Sequence, residues 1–89
     1  MVVEKVFYIE SRDVLDREDL KRVGYKYEAA STLGIDKPGW YVVIKADESW
    51  FSEHKDALEG MEEVKDADEI LSKFKELEEK ANAGFGALF

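Results

Sequence analysis

Apolar residues along this 89-residue chain come either in unbroken runs or at steps of three and four. The stretch VVEKVFYIE (2–10) is rich in β-branched and aromatic residues, and Val6-Phe7-Tyr8-Ile9 is apolar without alternation. That is the pattern of a strand covered on both faces. WYVVIKA (40–46) repeats it. Between the two, Leu20, Val23, Tyr27, Ala30 and Leu33 recur at steps of 3, 4, 3 and 3, the stripe of one amphipathic helix. Asp16 is the expected N-cap, with Asp19 three residues on and Leu15–Leu20 as a hydrophobic staple. Gly34 is the expected left-handed C-cap. Gly24 falls inside this helix, at a cost of about 1 kcal/mol relative to alanine. Close packing of helix on sheet would explain it; a kink or break is the other explanation.

IDKPGW holds the only proline, and Pro38-Gly39 suits the centre of a type II turn. ADESWFSEHKDALEG predicts a short helix capped by Asp47 or Ser49 and closed by Gly60, with Trp50, Phe51, His54 and Leu58 on its apolar side. MEEV (61–64) is a weak strand pattern. The last helix is clearer: Asp66 caps it, Glu69 completes a capping box, and Ile70, Phe74, Leu77 and Ala81 form its inner stripe. Gly84 is its expected C-cap.

The order β-α-β-α-β-α predicts one α/β domain over residues 1–89 around a small, largely parallel sheet. The alternative is a ferredoxin-like α+β sandwich in which the GALF end adds a strand. Residues 85–89 read as a short apolar tail. Burying Phe85, Leu88 and Phe89 would contribute about 1.5–3 kcal/mol each, against roughly 1–2 kcal/mol per ordered backbone residue. The tail is therefore expected to order only in a groove or against a neighbouring subunit.

Composition narrows the functions. The absence of cysteine removes disulfides, thiolate metal sites and a cysteine nucleophile, and a single histidine removes a multi-histidine site within one chain. No run approaches a membrane span or a signal sequence, so the expected location is the cytoplasm. Charged residues make up 38% of the chain, glutamine is absent and Asn82 is the only asparagine, a bias seen in proteins of hyperthermophiles. The net charge of −8 is concentrated in one half: residues 1–34 carry six basic and seven acidic side chains, residues 35–89 seven and fourteen. Such a surface repels phosphate backbones. The basic residues Arg12, Arg17, Lys21, Arg22 and Lys26 are diluted by Glu18, Asp19 and Glu28, so no nucleic-acid role is expected.

If the first two strands were parallel neighbours, Glu10-Ser11-Arg12-Asp13 and Asp47-Glu48-Ser49 would share one rim at the strand ends, where α/β sheets gather ligands. Glu10, Asp13, Asp47 and Glu48 could then hold Mg²⁺, although helix caps and solvated loops call for the same residues. No Gly-rich nucleotide loop accompanies them. His54 has Glu53 and Asp56 nearby in sequence, but neighbours on a helix point in different directions, and no catalytic set can be assembled from spacing. Trp40, Trp50 and Phe51 are core or interface residues. The resulting expectation is a small acidic, non-enzymatic binding or assembly module without cofactors. Its first partner would be a further copy of itself, through Trp50, Phe51, Phe85, Leu88 and Phe89. The competing expectation is a small-ligand or Mg²⁺-dependent enzyme using the strand-end carboxylates.

Overall fold

The computed structural model describes the backbone of residues 1–88 and the side chains of residues 1–79. Strand β1 (Val2–Ile9) leads through a 3-10 turn (Arg12–Asp16) to helix α1 (Glu18–Val23). Strand β2 (Lys26–Ala29), a second 3-10 turn (Ser31–Leu33) and strand β3 (Trp40–Asp47) follow. Helix α2 (Glu48–Glu53), a third 3-10 turn (Asp56–Leu58), strand β4 (Glu62–Glu63) and helix α3 (Ala67–Leu88) complete the chain.

The four strands form one sheet in the order β2-β3-β1-β4, and every neighbouring pair is antiparallel. The expected parallel sheet is therefore incorrect. The succession β-α-β-β-α-β with this strand order is the ferredoxin-like arrangement, the alternative drawn from the sequence. In one respect that alternative also needs correction. Helix α3 continues through Gly84 and Gly86 to Leu88, so Gly84 does not close it and the GALF end adds no strand. The side chains of Phe85 and Leu88, and Phe89 altogether, lie outside the described residues.

The source of the error is local. The predicted helix through Gly24 is in fact α1, then β2, then a 3-10 turn. Gly24 adopts φ 84° and ψ 148°, a conformation open to glycine and strained for other residues. A Cβ added there would meet nothing within 4 Å, so close packing is not its reason; it is a chain break. Beyond it Tyr25 and Tyr27 alternate with polar residues, as a half-buried strand requires.

Both faces of the sheet are covered, as the unbroken apolar runs of β1 and β3 predict. On one face Phe7, Ile9, Val42, Ile44 and Ala46 pack with Leu15, Leu20 and Phe51 from the α1 and α2 side. On the other, Val6, Tyr8, Tyr41 and Val43 pack with Ala30, Leu33, Ile70 and Phe74, so α3 forms the third layer. The MEEV segment is a strand, reduced to Glu62–Glu63 against Phe7 and Tyr8. Gly60 takes φ 86° ahead of it. There Arg17 donates to the carbonyls of Ala57 (2.9 Å) and Glu59 (2.5 Å) and ties down the third 3-10 turn.

Candidate functional site

Antiparallel pairing decides which sequence candidates can meet. Val2 lies opposite Asp47 and Ile9 opposite Trp40. Glu10 and Asp13 thus sit at one end of the sheet, Asp47 and Glu48 at the other, roughly 25 Å apart along the strands. They do not share a rim. Asp47 is occupied as the α2 cap: its carboxylate accepts the Ser49 N–H at 3.1 Å and the Ser49 hydroxyl at 3.0 Å, and pairs with the Met1 amino group at 3.1 Å. The Ser49 backbone hydrogen bond leads the causes that hold this carboxyl below the ordinary aspartate value, followed by the amino group of Met1. Among the described residues no group of three or more His, Asp or Glu is placed to hold a metal ion.

His54 stacks on Trp50, with ring centroids 4.7 Å apart and planes 16° from parallel. Its Nδ1 lies 2.8 Å from the Trp50 carbonyl oxygen, so the ring is held as the Nδ1–H donor. Trp50 is half-buried and also meets Phe51 edge-on. Phe51 is 6% exposed and sits in the core beside Phe7.

The site the fold does build takes in Trp40 and, from one half of the expected rim, Ser11, Arg12 and Asp13. Tyr27 pairs with Val42, and Trp40 with Ala29 and Ile9, all on the face that α1 covers. Helix α1 has six residues and leaves the β2 end of that face open. There Tyr25, Tyr27 and Trp40 line a groove of about 490 Å³, walled by Ser11, Arg12, Asp13, Leu15 and Asp16. The Tyr25 hydroxyl donates to the Leu15 carbonyl at 3.3 Å and fixes one side. The Tyr25 and Tyr27 rings lie 5.9 Å apart, and the Arg12 guanidinium stands 5.4 Å from the Trp40 ring centroid. Tyr27 is 39% exposed. Such a wall offers aromatic faces, one guanidinium and two carboxylates. Ser11 Oγ accepts the Asp13 N–H at 3.3 Å, and His54 is not part of the wall.

Beside the groove runs the open edge of the sheet. Strand β2 has β3 on one side and is last in the order. The Ala30 N–H donates to the Gly39 carbonyl at 3.1 Å. Bonded and non-bonded pairs alternate along an antiparallel ladder, so Tyr27 and Ala29 turn their N–H and C=O groups away from β3. The sequence signal for this site was the tripeptide Tyr25-Lys26-Tyr27 directly after Gly24, masked because Tyr27 also fits a helical step.

The basic residues of this half do not form one patch. Arg17 is committed to carbonyls, Arg22 pairs with Glu18 at 3.4 Å, and Lys26 with Glu78 at 2.9 Å. Among the described residues no helix is long and apolar enough to cross a membrane. Comparison with protein-family models, with curated proteins and with solved structures gives no match.

Proposed function

We propose that this chain is a small non-enzymatic assembly module that acts through protein contacts, first with its own copies, on the side formed by β2 and its aromatic groove. The observation that carries this is Tyr27: a large aromatic side chain 39% exposed, on an edge strand whose outward backbone groups face open space. Edge strands of this kind are templates for pairing with another chain. Exposed aromatic residues beside a groove are the usual anchors of protein interfaces. The uneven charge supports the same reading, because the acidic surplus lies in residues 35–89 while residues 1–34 are close to neutral.

Sedimentation equilibrium of the full chain tests it. A mass above that of one chain, lowered by Tyr27→Lys with the fold retained by circular dichroism, is expected. One-chain mass at all concentrations up to millimolar would refute it.

A further inference from the structure

Resting on the assembly reading above, we infer that a second copy adds to the sheet along β2, antiparallel and centred on Tyr27, making one continuous eight-stranded sheet across a two-fold axis. The four residues Lys26, Tyr27, Glu28 and Ala29 offer four registers; centring on Ala29 would set Tyr27 against position 31, which lies in the 3-10 turn beyond the strand, so three remain. Residues directly opposite in an antiparallel pair share a face, so a two-fold axis normal to the sheet must pass through a residue position. Centring on Lys26 sets two lysines against each other, and centring on Glu28 sets two glutamates. Centring on Tyr27 sets Lys26 opposite Glu28 of the partner subunit, twice by symmetry, and brings the two Tyr27 rings together on the groove face. Like charges directly opposite are destabilising and opposite charges favourable. Charge complementarity thus selects one register.

The backbone agrees with it. The outward-turned N–H and C=O groups of Tyr27 would exchange hydrogen bonds with the partner's Tyr27. Ala29 would pair in the same way with the partner's Tyr25. Among the described residues, no turn or loop hydrogen bond occupies Tyr27 or Ala29. Lys26 and Glu28 lie on the α3 face, where Lys26 already meets Glu78. A four-residue strand alone buries less than a stable interface needs, so the groove wall beside it, Tyr25, Tyr27 and Trp40, has to share in the contact.

The experiment is a charge exchange in the full chain, followed by sedimentation equilibrium at low salt. Lys26→Glu and Glu28→Lys should each weaken self-association by about tenfold or more. The double variant should return to within about threefold of the starting value. Glu78→Gln, which removes only the intrachain partner of Lys26, should leave association unchanged. Because the chain has no cysteine, oxidation of Tyr27→Cys gives a second reading. Residues in a bonded antiparallel pair stand about 5.5 Å apart at Cα, within disulfide reach, whereas position 28 and its copy lie one residue to either side of the axis, two residues apart along the strands, and fall outside it. Tyr27→Cys should cross-link and Glu28→Cys should not. An oligomer indifferent to the single exchanges, one that the double exchange fails to restore, or one that cross-links through position 28 and not 27 would overturn the register and leave the assembly reading standing. A chain that stays monomeric throughout would overturn both.

Discussion

Gly39 lies against Tyr8 so closely that a Cβ added to the glycine would fall 2.6 Å from the tyrosine hydroxyl oxygen and 2.5 Å from the Ile9 carbonyl oxygen. The same hydroxyl donates to the Pro38 carbonyl and pins the turn before β3 to β1. Gly39 also takes φ 93°, in the left-handed region that favours glycine. Both conformation and space are therefore restricted. Gly39→Ala should cost about 2–4 kcal/mol, read from denaturant unfolding. Gly24→Ala, with positive φ but open surroundings, should cost less, about 1–2 kcal/mol. Equal losses would contradict the close approach.

Arg17 ties the third 3-10 turn to the start of α1 through the Ala57 and Glu59 carbonyls. Arg17→Gln should destabilise by about 1.5–3 kcal/mol, the range for hydrogen bonds to a charged donor. Arg17→Lys should recover only part of it, since an ammonium lacks the planar fork. A loss confined to a few tenths of a kcal/mol would show the contact to be incidental.

Phe51 and His54 are neighbours on one helix turn with different duties. Phe51→Ala should cost about 3–5 kcal/mol as a buried aromatic truncation. His54→Gln, which removes a half-buried ring stacked on Trp50, should cost about 1 kcal/mol. Matched thermal melts distinguish them, and an equal loss from His54→Gln would assign the imidazole a larger role.

Asp47 supplies the pH dependence. Its carboxyl is held below the ordinary value, first by the Ser49 N–H. Its ionised form therefore favours the folded chain above the unfolded-state pKa, and that contribution is lost as pH falls through the lower folded value. An NMR titration of the Asp47 side-chain carboxyl should give a midpoint below that of a peptide reference. Asp47→Asn should keep most of the cap while flattening the acid limb of the stability curve. A midpoint at or above the reference would contradict the capping geometry.

Strands β1 and β3 and helix α3 were legible because their apolar patterns are long and of one period. The sheet direction was not, and a single strand accounts for it. Tyr27 satisfies a helical step from Val23 and an alternating step from Tyr25 at once. Taken as helix, residues 20–33 make one crossover, and β1 and β3 then read as parallel. Once Gly24 breaks the helix and β2 intervenes, the chain reverses direction again, and β1 and β3 become antiparallel neighbours. The same substitution dissolved the acidic rim, because it moved Asp47 to the far end of the sheet from Asp13, and it exposed Tyr25 and Tyr27 as the groove wall. Trp40 is legible in the sequence as an aromatic of either core or contact; its groove is not, because Tyr25 and Tyr27, its other two aromatic residues, fall within the span that the helical stripe covers.

The amide of Tyr27 offers the most direct test of assembly along β2. In one chain it points away from β3 into solvent, while the Glu28 amide lies in a bonded pair with Tyr41. Hydrogen exchange followed at several protein concentrations should show the Tyr27 amide becoming protected as concentration rises and losing that protection on dilution, with the Glu28 amide protected throughout. A Tyr27 amide that exchanges freely at every concentration would contradict strand pairing at this edge.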